Sequence, residues 1–284
     1  MKKKLGLLML FLLLLAAQFA AGEELGNGRL TGILARQDGR QLSHGVLYLF
    51  NGAAGPPPVI EKYWRIPDQT AELDDQGRFD LELTPGTYYL AYIKHDNPND
   101  VGPPKNGEII WVGRDLNSQP IAYRLGPGEM LNLGRLSEAV PYDPAMIKVG
   151  NGVITAIEGR IVGEDDKPIA DAAVFAFMTP TTVGRPLFTS ELSDNLGRFL
   201  LRVERGGTYY LKVRGKHGGG QPGQDSILDG ERDERLAAVT VATGEIVKGV
   251  IHKALTLRGR KSKRKSPTGN ESGRSSGRHA DLDN

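Results

Sequence analysis

The sequence predicts an all-β protein built from two tandem β sandwiches, and three observations carry that prediction. One segment is written twice. Asp75-Gln76-Gly77-Arg78-Phe79, followed after an alternating run by Gly86-Thr87-Tyr88-Tyr89-Leu90, returns as Asp194-Asn195-Leu196-Gly197-Arg198-Phe199 and Gly207-Thr208-Tyr209-Tyr210-Leu211. The copies lie about 120 residues apart, which is domain scale and far longer than a solenoid repeat. Apolar and polar residues alternate between Gly, Pro, Asp and Asn clusters spaced roughly 8–12 residues apart, the pattern of sandwich strands. The chain contains no cysteine, so disulfides and thiolate metal sites are excluded. Each unit of roughly 115 residues must therefore hold together by buried apolar area.

The ends of the chain differ from its body. Met1-Lys2-Lys3-Lys4 is a charged start, Leu5 to Phe19 is almost purely apolar, and Ala20-Ala21-Gly22 supplies small residues before Glu23-Glu24. This is the layout of a secretory signal peptide, expected to cover residues 1–22. The apolar run of 15 residues is shorter than the ~20 needed to span a bilayer, and no cysteine follows it for lipid attachment. No transmembrane segment is expected after cleavage, which makes the protein exported and periplasmic, secreted or cell-surface. Residues 258–284 carry 8 basic and 3 acidic residues and almost nothing apolar, so they are expected to form a disordered basic tail. With the tail at +5 and the leader at +3, a net charge of +2 leaves residues 23–257 at −6: an acidic body with a basic tail.

In the first unit, Arg29–Ala35 reads as a strand, Gln37-Asp38-Gly39-Arg40 as a turn, and Gly45–Phe50 as a strand with Val46, Tyr48 and Phe50 on one face. Phe79, Leu81 and Leu83 alternate with Arg78, Asp80 and Glu82, giving one core face and one wet face. The Asp-x-Gly turn before them suits a hairpin. In the next strand Tyr88, Leu90 and Tyr92 are expected inward and Tyr89 outward. Ile121–Leu125 then leads through Gly126-Pro127-Gly128-Glu129 to a strand over Met130–Leu136.

The second unit repeats this order. Thr155–Val162 is a strand, Glu164-Asp165-Asp166-Lys167-Pro168 a turn, and Ala172–Met178 a strand. Tyr209, Leu211 and Val213 are expected inward and Tyr210 outward. Ala238–Val241 leads through Gly244-Glu245 to Ile246–Leu257. The expected organisation is a first sandwich over 28–138, a linker over 139–149 and a second sandwich over 150–257.

Gly159, Pro168, Ala173-Val174, Gly197-Arg198-Phe199 and Gly207-Thr208-Tyr209, closed by a strand pair around Gly-Glu, resemble the carboxypeptidase regulatory-like domain. The resemblance implies a seven-stranded immunoglobulin-like or prealbumin-like β sandwich, in two copies that cover most of residues 28–257. The first copy departs from it by a Pro-rich excursion, Ala53–Ile66, and lacks the turn proline. The shared motifs are structural, so the resemblance implies a non-catalytic accessory or binding role and transfers no active-site residue.

The polar residues form no catalytic set. Five histidines are scattered without metal-ligand spacing. His95 and His217 leave equivalent strands, so their loops should share one end of each sandwich and could form a ligand surface. Solvated polar loops are the plainer reading. Asp74-Asp75-Gln76-Gly77, Glu164-Asp165-Asp166 and Asp229-Gly230-Glu231 lack the spacing of a calcium loop, and turn chemistry accounts for them. Gly218-Gly219-Gly220-Gln221-Pro222-Gly223 reads as a flexible loop rather than a phosphate cradle. Arg29–Ala35 and Thr155–Val162 contain no Lys, so no isopeptide cross-link from a first strand is expected. Trp64 and Trp111, with Tyr63 and Tyr123, could stack on sugars or meet a protein partner, or could pin long loops to the sandwich.

These readings make the chain an exported, non-catalytic envelope protein acting in adhesion, scaffolding or protein docking, with no cofactor. A carbohydrate-binding accessory protein is the alternative, and a hydrolase with its site in loops 51–66 or 94–119 is a third class. Partners are then a protein or an envelope polysaccharide. Lys261, Lys263, Arg264 and Lys265 give the tail charge for anionic envelope polymers or lipid headgroups, or simply for solubility. The tail lacks interleaved aromatics, so no nucleic-acid partner is expected.

Overall fold

The structure, a computed structural model, describes residues 26–98, 100–146, 154–181, 184–215, 227–229 and 236–256. The expected leader, the tail with Lys261, Lys263, Arg264 and Lys265, and His217 with its Gly-rich loop lie outside the described residues.

The chain is all-β and forms two sandwiches. The first holds β1 (Gly28–Arg36), β2 (Val46–Asn51), β4 (Gln69–Glu72), β5 (Arg78–Leu83), β6 (Gly86–Lys94), β7 (Ile109–Val112), β8 (Tyr123–Leu125) and β9 (Met130–Pro141). The second holds β10 (Thr155–Val162), β11 (Ala173–Phe177), β12 (Phe188–Thr189), β13 (Arg198–Val203), β14 (Gly207–Arg214), β15 (Ile227–Asp229), β16 (Ala237–Val241) and β17 (Ile246–Thr256). Between β2 and β4 lies β3 (Trp64–Arg65), which pairs with β12 of the other sandwich.

The two units are wired alike. β1 lies between β5, antiparallel, and β9, parallel, while β10 lies between β13, antiparallel, and β17, parallel. In the second unit the Gly-Glu turn therefore carries the chain from one sheet to the other; in the first, where β7 and β9 join eight strands into one sheet, it carries the chain from the β6 side to the β1 side: β8 pairs with β6 and β16 with β14, whereas β9 and β17 pair across with the first strand of each unit. The Asp-x-Gly turn likewise joins strands that do not pair with each other instead of closing a hairpin. β4 pairs with β2 and β5 with β1. The turn is held from within by its carboxylate. Asp74 Oδ1 accepts the N–H of Gln76 and of Arg78 at 2.8 and 2.8 Å, and Asp194 Oδ1 accepts those of Leu196 and Arg198 at 2.9 and 2.9 Å. These carboxylates cap their own turns. β9 runs on through Pro141, into the segment expected as linker, because Val140 and Pro141 pair with Ile110 and Ile109.

Inside each sandwich the expected faces hold. Tyr88, Leu90 and Tyr92 are buried with Phe79 and Leu83, and Tyr209, Leu211 and Val213 with Phe199 and Leu201. The Tyr88 hydroxyl donates to the carbonyl of Thr84 at 2.8 Å, and that of Tyr209 to Arg205 at 2.7 Å, so each ring is tied to the turn four residues upstream. On the outer side of β5, Arg78, Asp80 and Glu82 are exposed.

The opposite sheets depart from the one-wet-face expectation. In β2, Leu47 and Leu49 enter the sandwich core, while Tyr48 and Phe50 are buried on the outer face. In β11, Val174 and Ala176 point inward, and Ala173, Phe175 and Phe177 are buried on the outer face. A strand apolar at both parities is buried on both sides, and here the second covering is the neighbouring sandwich with its excursion.

Gly197 carries the crossing turn at φ +71, and an added Cβ would meet the Ile161 carbonyl oxygen at 2.4 Å. We expect Gly197→Ala to destabilise the protein by about 3 kcal/mol, read as a lowered urea midpoint, from left-handed strain plus the clash. An unchanged midpoint would mean that this turn is not packed as described.

Candidate functional site

The segment between β2 and β4 leaves its own sandwich and builds on the next. Pro56-Pro57-Pro58 keeps the chain extended and without N–H donors. A tight turn follows, in which Lys62 and Tyr63 donate to the Val59 carbonyl at 2.8 and 2.9 Å. β3 then adds to β12, with Trp64 opposite Thr189 and Arg65 opposite Phe188, and the Ile66 N–H donates to the Leu187 carbonyl at 2.9 Å. Tyr63 enters the core of the second sandwich. Its ring meets Phe188 edge-on at 5.3 Å, Phe188 meets Tyr209 at 6.0 Å, and its hydroxyl donates to the Pro57 carbonyl at 2.8 Å.

Polar contacts fix the register of this graft. Glu191 Oε1 accepts from the Trp64 indole at 2.7 Å and from Arg202 Nη2 at 3.0 Å, while the Arg202 guanidinium lies 5.8 Å from the Trp64 ring. Arg202 Nη1 also donates to the carbonyls of Ile60 and Glu61 at 3.3 and 3.3 Å. The Arg65 guanidinium has no exposed side-chain surface. It donates to the carbonyls of Gly55, Pro56 and Asn51 and pairs with Asp68 at 2.7 Å. Burying one large aromatic ring contributes roughly 4–6 kcal/mol as an upper bound. A buried ion pair contributes little net, because desolvation offsets attraction. Tyr63 and Trp64 therefore supply the attachment, and Arg65, Glu191 and Arg202 decide where it seats.

Beside the graft, the outer face of β2, β6 and β7 meets the outer face of β11 and β14 across a cleft of about 500 Å³. Its first wall presents Tyr48, Phe50, Ile93 and Ile110, and its second Phe175 and Phe177. Lys212 and Arg214 project from the second wall, beside Phe175 and Ala173 in the β11–β14 register. Thr70, Val101, Gly184 and Arg185 are exposed and mark the mouth. The charged residues of the lining, Arg65, Arg185, Lys212 and Arg214, are all basic among the described residues.

One wall is braced by a sealed pair. His95 Nδ1 lies 2.8 Å from Glu108 Oε2, with both side chains buried, and His95 Nε2 is 3.5 Å from the Tyr48 hydroxyl. Glu108 also accepts the N–H of Lys105 at 2.7 Å and of Asp96 at 3.0 Å, which ties together the loop bearing Gly102-Pro103-Pro104. Burial alone would raise the Glu108 pKa; the two N–H groups and His95 outweigh it and hold the carboxyl below its ordinary value. Burial also pushes the Tyr48 hydroxyl up to about 12.

The sequence-predicted site residues thus fall in different places. Trp64 is buried between the sandwiches, and Trp111 is buried in the first core, where its indole N–H has no partner. Tyr63, Trp64 and Trp111 expose 3, 6 and 3 % of their surface, so they form no open stacking platform. His95 is enclosed with Glu108 instead of solvated, and His217 lies outside the described residues. Sequence reasoning missed Glu191, Arg202, Lys212 and Arg214. The available signal was the apolar content of β2 and β11 at both parities, which marks an extra buried face.

No family model matches the chain, and no curated protein matches it. Among solved structures, the Bacillus anthracis TIE protein is similar at 14 % identity and a TM-score of 0.25, over 81 % of this chain and 34 % of that one. A streptococcal ancillary pilin is similar at 14 % identity and a TM-score of 0.23, over 80 % of this chain and 62 % of that one. The shaft pilin SpaA from Lactobacillus rhamnosus GG is similar at 11 % identity and a TM-score of 0.23, over 81 % of this chain and 97 % of that one. This chain thus spans 34 and 62 % of the first two proteins. Similarities at these scores carry no argument about what the chain does.

Two outcomes follow from this geometry. Tyr63→Ala should cost about 3–5 kcal/mol and split thermal unfolding, seen by calorimetry, into two transitions, with the second sandwich melting first. A single transition at the unaltered temperature would deny the plug its role. Glu108→Gln places an amide against backbone donors and should cost about 2 kcal/mol at pH 7 by urea denaturation. Because the folded-state pKa is lowered, the Glu108 contribution is full above the ordinary value of 4.5 and is lost as pH falls below it. The gap between the two proteins should therefore close on acidification; a gap constant with pH would contradict the assignment.

Proposed function

We propose that this chain is an exported, non-catalytic protein of the bacterial cell envelope, whose two sandwiches act as one rigid body for docking or scaffolding. The observation that carries this reading is the graft of β3 and Tyr63 onto the second sandwich. It makes two small modules behave as one, which suits a spacer or grip. Tyr63 and Trp64, two of the side chains that attract attention in the sequence, serve that junction. The leader-like start supports export, and the shared turn, tyrosine and parallel-strand devices support two copies of a carboxypeptidase regulatory-like module, whose role is accessory binding.

The docking surface in this reading is a strand edge. β5 and β13 end their sheets among the described residues. An unpaired edge accepts an extended partner segment by adding a strand. The basic tail adds charge-driven attachment to anionic envelope polymers. Photo-crosslinking residues placed at Arg78 and Arg198, equivalent exposed positions on the two edges, should give discrete protein adducts in envelope fractions. Removing residues 258–284 should lower recovery at low salt only. Absence of adducts from both edges would overturn edge docking, and recovery with unchanged salt sensitivity after truncation would remove the tail from it.

A further inference from the structure

We propose that the cleft between the sandwiches binds an amphipathic anion, a single aliphatic chain bearing one carboxylate or phosphate head group. This does not rest on the docking reading, and either can fail without the other.

The walls select the body of such a molecule. Phe50, Ile93 and Ile110 on one side and Phe175 and Phe177 on the other line a space of about 500 Å³, within the usual size of small-molecule sites. Water there finds few of the two to four polar partners that hold it in a protein. An apolar chain loses nothing by entering.

The charges select the head group. Lys212 and Arg214 stand on the outer face of β14, one strand position apart from each other on that face, beside Phe175 and Ala173 of β11. Both are half-buried, and neither forms an ion pair among the described residues. Charged groups beside an apolar wall gain most from an opposite charge brought to them. No carboxylate lines the cleft among the described residues, although the body as a whole is acidic. The basic lining is thus a local reversal of the protein's charge. On the opposite wall Phe50, Ala91, Ile93 and Ile110 are uncharged, and the cation beside them, Arg65 over the Phe50 ring, is already paired with Asp68, so the unpaired basic charge lies on the β14 side. The apolar walls face each other across a cleft instead of forming one open apolar face. That favours a free amphiphile over a chain still seated in a bilayer.

The test is calorimetric titration of the exported full chain with dodecanoate, with dodecanol, and with phosphatidylglycerol vesicles. Dodecanoate should bind one to one, with an affinity that falls as salt rises, and vesicles should bind more weakly per accessible chain. The double variant Lys212→Ala/Arg214→Ala should weaken dodecanoate by about tenfold and leave dodecanol within about twofold. Ala91→Phe, which fills the cleft from β6, should abolish binding of both; Val112→Phe repeats the test from β7 if the first variant fails to fold. The proposal is overturned if dodecanoate does not bind, if the double variant binds it unchanged, or if a folded cleft-filling variant still binds. Preference for vesicles over free dodecanoate would overturn the free-amphiphile assignment.

Discussion

The structure depends on one insertion: Tyr63 of the first sandwich sits in the core of the second. Its ring continues the aromatic chain from Tyr209 through Phe188, and the strand that follows it extends the β11–β12 sheet. A ring in a core is not a surface contact. Withdrawing it would leave a ring-sized hole beside Phe188, and holes in close-packed interiors are costly because the surroundings relax only in part. The same insertion sets the distance between the sandwiches, since only the short turn at Val59–Lys62 separates the tri-proline run from the buried ring.

That spacing explains the apolar outer faces. Strands β2, β6 and β11 would present Phe50, Ile93 and Phe177 to water if the sandwiches stood apart, and contiguous patches of that kind mark a partner surface. Held together, they bury most of this surface against the graft and leave the remainder as a cleft. The polar groups at the junction have complementary jobs. Arg65 closes the excursion on itself, Glu191 and Arg202 clasp Trp64 from the second sandwich, and His95 with Glu108 stiffens the loop over the cleft mouth. Hydrogen bonds offset much of the cost of burying these charges, with Arg65 Nε left without a partner among the described residues, so they add definition more than stability.

Much of this architecture was readable from the residues. Thr155–Val162 is a strand over the very span its alternation indicates, and the inward and outward tyrosines of both Gly-Thr-Tyr-Tyr-Leu segments lie as their parity requires. Local rules suffice there because strand, turn and face are set by neighbours in sequence. The junction was not readable. Trp64 and Glu191 are 127 residues apart, and nothing near either residue announces the other. A crossing turn reads like a hairpin in sequence because a Gly at positive φ serves both, and only the pairing of the flanking strands tells them apart. Val46, Tyr48 and Phe50 did signal a face of their own, but parity alone does not say which of two apolar faces is the core.

Amide hydrogen exchange across residues 63–66 tests the central claim most directly. If β3 is grafted onto the second sandwich, the Ile66 N–H, bonded to Leu187, should exchange as slowly as amides in β11 and β14. Exchange at the rate of the exposed Gln37–Arg40 turn would show an excursion free of the second sandwich and would contradict the account.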